Sequence, residues 1–215
     1  MDVDEVHALT RNPTCVLYLA AVAISLAGCL TPKALDPTAA DRRSIVTIED
    51  FSGWLDAGSL AVDAEVDHLT KQKVAWSTLL SYEYRGTAST AEGTSLPVVL
   101  QSEVSVHPNA VSARHNFDTY ALGLGAGIRK GGGSLEPVDT TLRWGDGMAL
   151  YAIERNGRQI GNGFIGHAGR VATYVMISGL YSSDAARFEA VIAPVLSALE
   201  GYDPDAPEGL HAQAD

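Results

Sequence analysis

Residues 148–178 constrain the fold more tightly than any other part of the chain. Asn156-Gly157 sits between Met148 to Arg155 and Arg158 to His167. Asn-Gly is the strongest two-residue hairpin signal, because both central positions of such a turn need positive φ. Ala168-Gly169 then separates the second run from Val171 to Ile177, whose β-branched residues alternate. The spacing predicts a three-stranded antiparallel meander.

Leu79 to Tyr84 and Leu96 to Val106 read as two earlier strands, the second through Val98, Leu100 and Val104. Asn109 is a good N-cap, and Ala110, Ala113, Phe117, Tyr120, Ala121 and Leu124 recur at helical spacing for about four turns. Gly123, Gly125 and Gly127 weaken the end of that helix. Asp184 can cap a final helix with Phe188, Ile192, Val195, Leu196 and Leu199 on one face, a kink at Pro194 and a stop at Gly201. A further strand is expected at Ser44 to Ile48. The order β-β-α-β-β-β-α predicts an α+β fold: an antiparallel sheet with a three-stranded C-terminal meander and two main helices packed on one face. A chain of 215 residues, 46% hydrophobic and 19% charged, suits one such domain. No repeat recurs at a fixed period.

From Val16 to Ala27 the chain carries no charge, and the run ends at Gly28 and Cys29. As a helix it covers roughly 18 Å, short of the roughly 30 Å hydrocarbon layer, whereas the apolar region of a signal peptide needs only about 7 to 15 residues. Leu26-Ala27-Gly28-Cys29 resembles the lipobox of bacterial lipoproteins. The resemblance implies that a signal peptidase reads Leu26, Ala27 and Gly28 and cuts before Cys29, whose thiol carries a diacylglycerol. A thiol is the side chain best suited to such alkylation. Acylation of the freed amine would complete an anchor of two or three chains, which holds where one chain binds only marginally. Leu30, in place of the Asp that retains many lipoproteins at the inner membrane, favours the periplasmic face of the outer membrane in a Gram-negative host. In a Gram-positive host the site would be the outer face of the cell membrane. The acids Asp2, Asp4 and Glu5 depart from the positive start of a signal peptide, where only Arg11 supplies charge. Initiation at Val6 or Leu9 would remove all three. The competing readings of 16–27 are a buried core helix ending at Gly28 and a retained anchor.

The expected division is a signal peptide (1–28), a lipidated cysteine and tether (29–43), a single domain (44–202) and a flexible acidic tail (203–215). Cys15 and Cys29 are the only cysteines, so cleavage before Cys29 leaves no disulfide, and four-cysteine zinc sites, CxxC motifs and cysteine-protease chemistry drop out. The formal charge is −11, and becomes −9 once three acids and one base leave with the signal peptide. That sign does not attract a phosphate backbone, so nucleic acid is not an expected partner.

The sequence yields no catalytic, cofactor or metal set. Gly161-Asn162-Gly163-Phe164-Ile165-Gly166 fits G-x-G-x-x-G, but a dinucleotide site needs that motif between a strand and a helix, and here it lies inside a hairpin strand. A bulge or a close packing position is expected instead. Gly131-Gly132-Gly133 lacks the Lys-Ser/Thr of a phosphate loop. His68, His107, His115 and His167 form no H-E-x-x-H pattern; His107 and His115 approach each other with no third ligand. Ser178-Gly179 has no G-x-S-x-G elbow. Asp63, Glu65 and Asp67 alternate, as on a solvated face. Trp144, before Gly145-Asp146-Gly147, packs in the core or stacks on a ligand. Tyr82 and Tyr84 share a face, and line a groove or cover the sheet.

Past the lipobox, two strands, a helix, a meander and a terminal helix are loosely similar to the PsbP-like and sensor-type domains of bacterial lipoproteins. No diagnostic motif accompanies that similarity, so no functional residue carries over. The expectation is a membrane-anchored envelope lipoprotein with a non-enzymatic domain that binds an envelope protein or a small molecule; the alternative is an envelope hydrolase. An enzyme should gather polar groups with shifted pKa values in a pocket, and a binding module should expose a sheet face or an apolar patch.

Overall fold

A computed structural model describes residues 31–54, 64–89 and 95–206, and residues 59–60 by backbone alone. Leu26, Ala27, Gly28 and Cys29 lie outside the described residues, as does Asp63. Strand β1 (Lys33–Leu35) and the short helix α1 (Ala39–Arg43) come first. A 3-10 helix (Ile48–Trp54), β2 (Ser59–Leu60), β3 (Val66–Val74), β4 (Ser77–Ser89) and β5 (Ser95–Val106) follow. Helix α2 (Ala110–Lys130) then leads to β6 (Gly133–Val138), β7 (Gly147–Arg155), β8 (Arg158–Ala168), β9 (Val171–Ser178) and helix α3 (Ala185–Ala198). The fold is α+β. One antiparallel sheet runs β1-β3-β4-β5-β9-β8-β7-β6, with β2 on β4.

Local chemistry explains most of these elements. The β7–β8 turn places Asn156 at φ 53° and Gly157 at φ 70°, the left-handed geometry a two-residue hairpin demands. The Asn109 side chain accepts from Ser112 N at 2.9 Å and starts α2. Asp184 accepts from Ala186 N at 3.0 Å and starts α3. Helix α2 outlasts the expected four turns and passes through Gly123, Gly125 and Gly127 to Lys130. Tyr120 and Leu124 are buried against the sheet, and tertiary packing of this kind outweighs glycine's poor propensity.

The two main helices cover opposite faces of the sheet, which corrects the expectation of one face. Along β9, Val171, Val175 and Ile177 enter one core with Phe188, Ile192 and Leu196 of α3. Ala172 and Tyr174 enter a second core with Tyr120 and Leu124 of α2. The cause lies in β8 and β9, which are apolar on both sides: Phe164 and Ile165 are adjacent, and both are buried.

The N-terminal region also differs from expectation. Ser44 to Ile48 forms no strand; Ile45 and Val46 are buried, and the chain turns into the 3-10 helix. Phe51 of that helix stacks on Phe188 at 6.4 Å and meets Trp54 edge-on at 5.0 Å. Residues 33–43, assigned to the tether, carry β1 and α1. Lys33 pairs with Lys73 of β3. A capping box closes α1: Thr38 Oγ1 accepts from Asp41 N at 3.2 Å, and Asp41 Oδ2 accepts from Thr38 N at 2.7 Å. Asp41 is buried and pairs with Lys71 of β3 at 2.9 Å. The start of the expected tail packs on the same spot, for Tyr202 donates to Asp41 and Pro204 O accepts from Lys71 Nζ at 2.8 Å.

Candidate functional site

Antiparallel register sets Ser81, Glu103, Tyr174 and Ile165 in one row across β4, β5, β9 and β8, on the face that α2 partly covers. Glu103 is buried near the middle of that row, where the Tyr120 hydroxyl of α2 donates to its carboxylate. Burial pushes the Glu103 carboxyl up to about 7, and the Tyr120 bond opposes that rise. Burial, then Glu103 and Glu83, raise the Tyr174 phenol well above its usual range.

Ser105, two residues on, is the hub of the network. Its Oγ accepts from Asn116 Nδ2 at 2.8 Å, donates to Ala172 O at 3.2 Å, and lies 3.1 Å from the Tyr120 hydroxyl, whose proton goes to Glu103. His107 Nε2 lies 3.0 Å from the same oxygen, and His107 Nδ1 lies 3.1 Å from Ser77 Oγ. Burial lowers the His107 pKa, which favours the neutral ring. A serine nucleophile needs a free lone pair aimed at substrate and a histidine oriented by an acid. Ser105 already accepts from Asn116 and donates to Ala172 O, and a serine stands where the acid would be.

Helix α2 packs over β6, β8 and β9 and reaches β5 through Asn116 and Tyr120; among the described residues no helix packs to comparable extent on the β3–β4 side of this face. His68 is exposed there, while Glu83, Arg85 and Gln101 are half-buried. Arg85 pairs with Glu83 at 2.5 Å, and its Nε is buried without a hydrogen-bond partner. The geometry offers a charged strand surface beside a buried acid whose pKa burial raises.

The other sequence candidates take structural places. Tyr82 and Tyr84 are buried in the α3-side core, with the Tyr82 hydroxyl donating to Asp67 Oδ1 at 2.8 Å. Trp144 is buried too, its Nε1 donating to Leu196 O of α3 at 3.1 Å. Gly161, Gly163 and Gly166 lie within β8. A register shift falls between Ile153 and Glu154 opposite that strand, and a Cβ on Gly161 would collide with Ile177 O. Gly131 caps α2, and Gly132 turns at φ 79°. His115 is exposed on α2. Among the described residues no group of three or more His, Cys, Asp or Glu is placed to hold a metal, and no helix is long and apolar enough to cross a membrane.

Sequence reasoning passed over Glu103, Ser105 and Tyr120. From Leu100 to Val106 the apolar residues Leu100, Val104 and Val106 fall at even positions, so Gln101, Glu103 and Ser105 read as a wet face. Tyr120 carried a signal: a hydroxyl inside an otherwise apolar helical stripe implies a polar partner beneath it.

These features define the chain as an α+β sheet protein with a buried acid beneath one helix and an open half-face beside it. It matches no protein-family model, no curated protein and no solved structure.

Proposed function

We propose that this chain is a cell-envelope lipoprotein, anchored through Cys29, whose domain binds an envelope protein or a small ligand on the open half of its sheet. The observation that carries the reading is Leu26-Ala27-Gly28-Cys29 closing an uncharged run from Val16. The run suits a signal peptide in length, and the cysteine stands at the acceptor position. Support for binding over catalysis comes from the half-buried Glu83, Arg85 and Gln101 on β4 and β5, and from the His107 beside Ser105, whose other ring nitrogen meets a serine where a triad would place an acid. Rigid strands fix the spacing of such a surface, so a partner meets it with little ordering cost.

The test is intact-mass analysis of the membrane fraction beside a Cys29→Ala variant. The expected result is a chain beginning at Cys29 with added acyl mass, and loss of membrane retention in the variant. Equal retention of both proteins with no acyl mass overturns the proposal.

A further inference from the structure

From the few residues that separate Cys29 from β1, and from the exposed groups at the end of the sheet that β1 enters, we infer that the domain lies flush on an anionic bilayer, with Trp76 seated among the headgroups; the inference rests on the lipoprotein reading above. Its first support is chain length. Among the described residues the first strand begins at Lys33, four residues after Cys29, and four residues reach at most about 14 Å when fully extended. A lipid on Cys29 therefore keeps the start of β1 within about 14 Å of its anchor.

The second support is direction. Lys33 lies opposite Lys73, near the end of β3, and Val74 pairs with Ser77 across the two-residue turn Ala75-Trp76. The chain thus enters the sheet beside that turn. Trp76 is 81% exposed at its tip. The Ser77–His107 hydrogen bond and the bond from His107 N to Arg170 O tie this turn, the start of α2 and the β8–β9 turn into one end of the molecule. Val111, at the start of α2, is 80% exposed at that same end. Of the other exposed large apolar residues, Leu122 lies further along α2 and Tyr181 follows β9 at the other end.

The third support is charge. In a chain of −11, the exposed Lys33 and Arg170 stand at this end against Asp146, while Lys73 pairs with Asp205 at 2.6 Å. Among the described residues, Lys33, Lys73 and Arg170 thus face Asp146 and Asp205 at this end, a balance less acidic than that of the whole chain. An amphipathic indole at such a position partitions into the headgroup region, and a second attachment beside the acyl chains fixes the orientation of the open sheet face relative to the membrane.

The experiment uses the full lipidated protein, purified from membranes and reconstituted into vesicles of phosphatidylethanolamine and phosphatidylglycerol with brominated acyl chains. Wild-type tryptophan emission should fall, and a Trp76→Phe variant should lose that fall while Trp54 and Trp144 emission is unchanged. Acyl mass on Cys29 with equal quenching in wild type and variant overturns the inference and leaves the lipoprotein reading standing. A missing acyl mass overturns both. A blue shift of Trp76 that grows with protein concentration in detergent assigns the tip to a second copy, and one seen in native membranes without quenching in vesicles assigns it to a protein partner; either overturns the bilayer contact.

Discussion

The Tyr120 hydroxyl donates to the Glu103 carboxylate where both side chains are buried, so a helix and a sheet are joined by an acid that water does not reach. An apolar pair would fill the space with less penalty, because a buried charge without a cation is expensive. The molecule meets this cost by keeping the proton. Burial, partly opposed by Tyr120, carries the carboxyl up to about 7.

Stability should therefore fall as pH rises from about 4.5 to about 7. In that window the unfolded chain releases the Glu103 proton and the folded chain keeps it, so the folded state binds more protons and loses ground with each step upward. The span amounts to about 3 kcal/mol. His107 acts in the opposite sense: its lowered pKa makes the folded state bind fewer protons below about 6.5, so its contribution falls as pH falls. Comparing wild type with Glu103→Gln cancels the histidine. Urea unfolding at pH 5 and pH 8 should show the variant gaining on wild type at the higher pH; an equal difference at both values counts against the buried acid.

Tyr120→Phe should separate the bond from the packing. The ring remains against Tyr174, its edge-on partner at 4.9 Å, and only the hydroxyl is lost. A bond to a neutral acid contributes about 1 kcal/mol, and a bond to a carboxylate about 2. The variant should thus lose more stability at pH 8 than at pH 5. Equal losses would mean that the hydroxyl senses no charge on Glu103.

Gly161 gives a test of the glycine-rich strand. An alanine Cβ would strike Ile177 O and press Ile153 Cδ1 at 3.1 Å, so the backbone must shift at the bulge. The expected cost is about 2 kcal/mol, a drop of roughly 4 to 8 °C in Tm by scanning calorimetry. Gly163→Ala should be milder, because its Cβ would meet Tyr151 Cβ at an ordinary 3.7 Å. Equal drops at the two positions would remove the close-approach account.

The sequence made some of this legible and hid the rest for physical reasons. Asn156-Gly157, Asn109 and Asp184 act within a few residues of themselves, so their turn and caps could be read directly. Strand β3, Val66 to Val74, alternates polar with polar and takes its place only through pairing along β4. Strand β6 contains Pro137, which argues against a strand until it is seen at the edge of the sheet, where proline is tolerated. The faces of α2 and α3 depend on which side of β9 each meets, a long-range fact that periodicity does not carry. Glu103 is hidden for the same reason: a polar position in an alternating strand faces water or a helix, and the strand alone does not say which.

The Asp41–Lys71 pair shows how such long-range facts become stability. Lys71 donates to Asp41 Oδ2 at 2.9 Å and to Pro204 O at 2.8 Å, and Tyr202 donates to Asp41 Oδ1, so α1, β3 and the segment after α3 meet on one buried ion pair. Burial alone would raise the Asp41 pKa; the bonds from Thr38 N, Tyr202 and Lys71 outweigh it and hold the carboxyl below its usual value. A depressed carboxyl contributes stability above about pH 4 that disappears as pH falls through the folded value. Lys71→Met should cost about 3 kcal/mol, because it strands a buried carboxylate. Asp41→Asn should cost less, since Pro204 O still receives the lysine. If the loss in Lys71→Met comes from the orphaned charge, the double variant Asp41→Asn/Lys71→Met should recover much of it, and denaturant unfolding at pH 7 should give a coupling well beyond the error of the cycle. Strict additivity would mean that packing, not the ion pair, joins the two ends of the chain.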